Sequence, residues 1–124
     1  MTLMFICAAM GASIMNLETI VSQSDKDKLS ITPLGSDIHA SEYLISIAEQ
    51  VPLHIHKYHT EIIYVIDGEG DMTINDKVKK VKKGDYIRVP ENTIHGVKVT
   101  SLKPLKVLSV QTPEYKGQDK HLVE

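Results

Sequence analysis

Two histidines, His54 and His56, stand two residues apart, and Glu61 follows after four more residues. In an extended strand, residues i and i+2 point to the same face, so both imidazoles can converge on one point. A third histidine, His95, arrives much later, at the start of another strand-like segment. Three imidazoles and one carboxylate form a borderline N/O donor set. Such a set suits iron, manganese, cobalt, nickel, copper or zinc, and is poor for calcium or magnesium. Four protein ligands on an octahedral ion leave two positions for substrate, oxygen or water; a closed tetrahedral structural site is the competing arrangement. The single cysteine, Cys7, excludes an internal disulfide and a cysteine zinc cluster, so any metal must be held by histidine and carboxylate.

Further groups are candidates by position. Tyr86 and Arg88 share a strand face and are the candidates for a catalytic acid or base near the metal and for the pocket mouth, with Arg88 placed to grip an anionic substrate. A plain surface role is the competing reading for both. Tyr64 lies three residues after Glu61 and faces away from it, whereas Ile63 and Val65 share the face of Glu61 and make the pocket apolar. His59 sits in the bend between His56 and Glu61, where a solvent or supporting role is expected rather than ligation. His39 and His121 read as ordinary polar positions.

The elements that must position these groups are short strands closed by turn residues. They run over residues 43–48, 53–56, 61–66, 72–74, 77–81, 86–89, 94–99 and 105–110, with Asn75-Asp76 as a hairpin signal and Asp67-Gly68 and Gly84-Asp85 as turns. No long segment after Met15 carries a helical period. The spacing predicts an all-β sandwich or closed barrel.

The chain has 124 residues, one domain's worth, and a net charge of −2 from 14 Lys plus Arg against 16 Asp plus Glu. That balance gives no pull toward nucleic acid or an anionic membrane. The lysines at 77, 79, 80, 82 and 83 alternate with Val78 and Val81 and lack aromatic company, which reads as a solvated hairpin. Residues 1–21 form an apolar N-terminal segment or extension, and residues 22–124 the folded domain. The polar stretch Ser22 to Ser30 reads as a loop between them. The start lacks a basic region and a good cleavage site, so a cytoplasmic location is expected and secretion is the minority reading. A membrane helix would need about 20 apolar residues. Residues before Met15 are expected to be dispensable for metal binding.

His54-Ile55-His56, four residues, Glu61, six residues and Gly68 resemble the first motif of the cupin superfamily. Gly84, five residues, Pro90, and His95 five positions on resemble the second. Ala48 stands where the family's leading glycine is usual, Asn92 replaces another glycine, and Val99 replaces the closing asparagine. The resemblance implies a double-stranded β-helix, or jelly-roll barrel. It implies one divalent transition metal held by His54, His56, Glu61 and His95. It also implies a metal-dependent enzyme on a small organic substrate, of dioxygenase or isomerase type. A non-catalytic module binding a small ligand, and a structural protein with a vestigial site, are the alternatives. Small cupins usually pair, and Ile62, Tyr64 and Ile66 form an apolar stripe facing away from Glu61, so a homodimer is expected.

Overall fold

The computed structural model describes residues 11–21 and 28–124. Their strands form two five-stranded antiparallel sheets packed face to face, the arrangement expected of a jelly-roll barrel. The first sheet has the order β1 (Leu29–Ser36), β2 (Ser41–Ile47), β9 (Leu105–Thr112), β4 (Thr60–Asp67), β7 (Tyr86–Val89). The second runs β10 (His121–Leu122), β3 (Gln50–Ile55), β8 (His95–Val99), β5 (Glu69–Ile74), β6 (Lys77–Lys82). Inward-facing residues of both sheets meet in one core, among them Ile47, Ile63, Val65, Met72, Leu105 and Val107. Alternation is clean on β9, where every second residue from Leu105 to Gln111 is buried.

Several boundaries differ from the sequence reading. β1 takes in Leu29 and Ser30, assigned above to a loop, and continues to Ser36. Pro33 and Gly35 disguise it. An edge strand tolerates both, because only one side of it is paired, and the register shifts between them. The short β10 was also not anticipated; its identity as a strand depends on pairing with β3, where His121 faces Ile55 and Leu122 faces His54. At the opposite edge of the second sheet, β6 carries the lysine run on exposed positions, with Val81 alone buried. Charge along an edge strand discourages pairing with other chains.

The turns follow their local chemistry. Gly68 has φ +81°, and a Cβ there would run into the backbone of Pro104 and Leu105. Asn92, in place of a glycine, adopts φ 59°, and Asn75 in the β5–β6 hairpin adopts φ 54°.

Residues 11–21 lie against the outer face of the first sheet. A short 3₁₀ turn, Leu17–Thr19, is capped by Asn16, whose side chain accepts from the Glu18 N–H at 2.9 Å. Lys106 Nζ donates to the Ile20 carbonyl at 3.0 Å, and Met15 and Leu17 share a cleft with Leu108. The expectation for the apolar start falls on residues 1–10, outside the described residues, as do residues 22–27 of the polar stretch. The outer stripe is shorter than the sequence implied. The register shifts between Val65 and Asp67, Ile66 is only 8% exposed although it does not belong to the main core cluster, and Tyr64 stands beside its cross-strand partner Tyr86.

Candidate metal centre

The second sheet supplies all three histidines. His54 lies on β3 directly opposite His95 on β8, and His56 follows just after the end of β3. Ring centroids are 4.9 Å apart for His54 and His56, 4.1 Å for His54 and His95, and 5.1 Å for His56 and His95. Each ring offers a nitrogen within 4.8 Å of the others, and all three side chains are buried.

Their tautomers are set by the backbone. His54 Nδ1 lies 2.7 Å from the Pro52 carbonyl, His56 Nδ1 2.6 Å from that of Asp119, and His95 Nδ1 2.9 Å from that of Thr93. A carbonyl oxygen only accepts, so each Nδ1 carries its proton and each Nε2 keeps a lone pair in the neutral ring. Metal-ligating histidines are usually oriented this way. Burial pushes the His54 imidazole down to about 4, helped by its neighbours His95, His56 and Lys120. Burial also lowers His56. Its Nε2 is enclosed and has no hydrogen-bond partner among protein atoms.

Glu61 approaches from the facing sheet, on β4, rather than from a neighbouring strand of the same sheet. Its two oxygens have different surroundings. Oε2 accepts from Ser109 Oγ at 2.5 Å and Gln111 Nε2 at 3.0 Å. Oε1 lies 3.1 Å from His95 Nε2 and 4.0 Å from His56 Nε2. Burial would raise this carboxyl, but the contacts with His95 and Ser109 outweigh it and hold it below its usual range. With Nδ1 of His95 committed to Thr93, the lone pairs of His95 Nε2 and Glu61 Oε1 face each other unless a cation or a proton lies between them.

The three imidazoles are therefore close enough to hold one divalent transition ion, while Glu61 Oε1 lies beside His95 and His56 but outside the group whose donor atoms all lie within 4.8 Å of one another.

The histidines open on a cavity of about 280 Å³ inside the barrel, with walls that include Ile45, Ile63, Val97 and Val107. Glu61, Ile63 and Val65 line it together, as their shared strand face requires.

A cupin-domain family model matches residues 43–111, more than half of the chain. The chain belongs to the cupin family. An uncharacterized protein of Methanocaldococcus jannaschii, MJ1618, is 30% identical over 122 residues, covering 87% of this cupin and 98% of the relative. L-ectoine synthase of Halomonas elongata is 31% identical over 100 residues, covering 78% and 70%. Among solved structures, a conserved double-stranded β-helix protein of Klebsiella pneumoniae superposes with a TM-score of 0.77 at 19% identity. That match covers 92% of this cupin and 99% of the other chain, and it supports the fold.

The structure corrects the two candidates for the pocket mouth. On β7, Ile87 and Val89 point inward, while Tyr86, 62% exposed, and Arg88 lie on the outer face. They share a face as expected, but it is the wrong one for the cavity. Tyr43, Gln111, Tyr115 and Lys120 line the cavity instead. None of these belongs to a sequence motif, and neither do Ser109 and Asp119. One signal was available: Ser109 and Gln111 continue the inward series of Leu105 and Val107, and polar residues on a buried face need a reason to be there.

His59 does not join the metal cluster. Both its nitrogens meet acceptors, Nδ1 at 2.6 Å from Asp119 Oδ2 and Nε2 at 2.9 Å from the Glu114 carbonyl. Burial lowers this imidazole, but the bonds to Asp119 and Glu114 outweigh it, and the net shift is upward. His121 also binds Asp119, at 3.0 Å, so its position is less ordinary than the sequence implied.

These shifts predict how the metal-free protein responds to acid. His54 and His56 sit below their unfolded value of 6.5, so between pH 6.5 and about 4 the unfolded chain binds more protons than the folded one. Stability contributed by the two neutral rings should fall as pH drops through that window. Urea midpoints of chelator-treated protein at pH 7 and pH 5 check this. His54→Gln should flatten part of the dependence.

Proposed function

We propose that this cupin is a metal-dependent enzyme acting on a small organic substrate, of dioxygenase or isomerase type. One divalent transition ion (iron, manganese, zinc, nickel, cobalt or copper) would be held by His54, His56, His95 and Glu61. The observation that carries this reading is the set of three imidazoles whose Nδ1 protons are tied to backbone carbonyls beside an apolar cavity. A bound ion would supply Lewis acidity or oxygen activation. Ser109 and Gln111 hold one oxygen of Glu61, leaving Oε1 toward the histidines. Tyr115 borders the cavity, and burial raises its phenol, so it keeps its proton at neutral pH and can act as a donor. The similarity to L-ectoine synthase, named as an enzyme, supports a catalytic reading.

One observation favours a non-catalytic module that binds a small ligand. Apart from the proposed metal ligands, Tyr43, Tyr115 and Lys120 are the titratable side chains on the cavity wall among the described residues. The deciding experiment is anaerobic purification with metal analysis, followed by incubation of the loaded protein with a small-metabolite extract. Conversion of a metabolite that stops on metal removal supports the enzyme. Release of a bound molecule unchanged supports the module. Protein that never retains a divalent metal refutes both metal-based readings.

A homodimer is part of the same proposal, since Tyr64 and Tyr86 leave an exposed aromatic pair on the outer face of the first sheet. Light scattering at micromolar concentration should give twice the chain mass of 13.8 kDa. A monomeric mass refutes the pairing. A chain starting at Met15 is expected to retain its metal, because Glu18, Ile20 and every proposed ligand lie beyond that point. Loss of metal in that variant would place the apolar start within the fold. For a protein of this kind the proposed location is the cytoplasm. No helix among the described residues is long and apolar enough to cross a membrane.

A further inference from the structure

The amide of Gln111 is held in one orientation. Its Nε2 donates to Glu61 Oε2 at 3.0 Å, and a flipped amide would turn its oxygen toward that carboxylate. The other end of the amide, Oε1, is enclosed and has no hydrogen-bond partner among protein atoms, although the side chain is only 5% exposed and lines the cavity. A buried acceptor left unmatched is costly, and an O–H or N–H group brought in by a ligand would relieve it.

The opposite side of the mouth has the opposite character. Lys120 lines the same cavity next to β10, on the side of the second sheet. Among the described residues no carboxylate forms an ion pair with it. The first-sheet wall thus presents acceptors, Gln111 Oε1 and Glu61. The second-sheet wall presents a cation. Between them the surface is apolar, from residues such as Ile45, Ile63 and Val107. At about 280 Å³ the space lies at the lower edge of ordinary ligand pockets.

We propose that the cavity binds a small hydroxycarboxylate, with its hydroxyl donating to Gln111 Oε1, its carboxylate facing Lys120, and a short branched carbon skeleton against the apolar wall. The opposite orientation would set two carboxylates, the ligand's and that of Glu61, on one side. A hydroxyl suits the donor position better than an ammonium, because Lys120 already makes the mouth cationic. This inference rests on the proposed function only in taking the cavity as the ligand site. It names the ligand class.

The test uses three matched probes: 2-hydroxy-3-methylbutyrate, 3-methylbutyrate without the hydroxyl, and 3-methylbutane-1,2-diol without the carboxylate. Binding is measured by calorimetry and ligand-observed NMR on the full chain, once zinc-loaded and once metal-free, with zinc content determined after each titration. The hydroxy acid is expected to bind at least about 10-fold more tightly than either analogue, one hydrogen bond or charge contact being worth roughly that factor. Gln111→Met should abolish its advantage over 3-methylbutyrate and leave that over the diol. Lys120→Met, at an exposed position, should do the reverse. Circular dichroism confirms that each variant is folded.

The ranking should persist in metal-free protein, which separates this proposal from the metal. A protein that never holds zinc yet ranks the probes this way defeats the metal reading and sustains this one. Equal binding of the three probes overturns the inference, as does a preference that survives both substitutions or disappears without zinc. Absence of binding by all three at about 10 mM overturns it as well.

Discussion

His54→Ala is expected to reduce bound metal from about one equivalent per chain to a small fraction, an affinity loss of at least about 100-fold. The argument is geometric. His54 and His95 are cross-strand partners with ring centroids 4.1 Å apart, and the Pro52 carbonyl fixes the His54 tautomer. Alanine removes one of three neutral donors and opens the site to water from the mouth, where Lys120 stands. His95→Ala should have a comparable effect, since His95 is 1% exposed and lies between Glu61 and His54. Glu61→Gln tests the fourth ligand separately: an amide can still bond Ser109 but brings no charge to the ion, so affinity should fall while the fold persists. His39→Ala, at an exposed turn, is the control and should retain the full equivalent. Elemental analysis and a competing chelator measure all four variants. Full metal content in His54→Ala would remove the histidine cluster from consideration. Full affinity in Glu61→Gln would leave a site of three histidines alone.

The closeness of His54 and His56 was legible because strand geometry is local: a two-residue spacing directs both to one side where the chain is extended, and His56 follows directly on β3. The placement of Glu61 on the opposite sheet was not legible, because sheet membership depends on pairing of β4 with β7 and β9, far away in sequence. Tyr86 and Arg88 show the limit of the same logic. Alternation says which residues share a face, but not which face is inside. On β7, Ile87 and Val89 win the interior because burying them is worth more than burying a phenol and a guanidinium. β1 escaped notice for a related reason: Pro33 and Gly35 lower its intrinsic strand character, and only its register against β2 reveals it. Residues after Thr112 carry no repeating pattern at all. Their role emerges from contacts back to the 57–59 bend, across about half of the chain.

Those contacts lead to a second large effect, at a residue that binds no metal in this proposal. Asp119→Asn is expected to weaken metal binding by about 10- to 100-fold, the range for partners that orient a ligand. Asp119 is buried, and its carboxylate accepts four bonds: Lys57 N–H at 2.9 Å, Tyr58 N–H at 2.8 Å, His59 Nδ1 at 2.6 Å and His121 Nε2 at 3.0 Å. Burial would raise this carboxyl, but the bonds from His59 and from the Tyr58 and Lys57 amides overcome it and hold it well below the usual carboxylate range. The main-chain carbonyl of the same residue accepts His56 Nδ1 at 2.6 Å. One residue therefore ties the bend after β3 to the C-terminal segment and presents the oxygen that sets the His56 tautomer. Asparagine keeps the size but replaces one oxygen by a donor. If that donor stands at Oδ2 it faces the Tyr58 amide and His59, and if it stands at Oδ1 it faces the Lys57 amide and His121. Either way buried donors lose their acceptor, and the carbonyl that holds His56 is released from its position. Chelator competition gives the affinity, and the visible spectrum of cobalt-loaded protein reports whether the coordination is altered as well as weakened. Asp37→Asn, which changes an exposed turn bonded to the His39 and Ala40 amides, should match the unmodified chain in both. An unchanged affinity and cobalt spectrum in folded Asp119→Asn would mean that the backbone carbonyl keeps its place without the carboxylate, and that the C-terminal segment is only a cover over the barrel mouth.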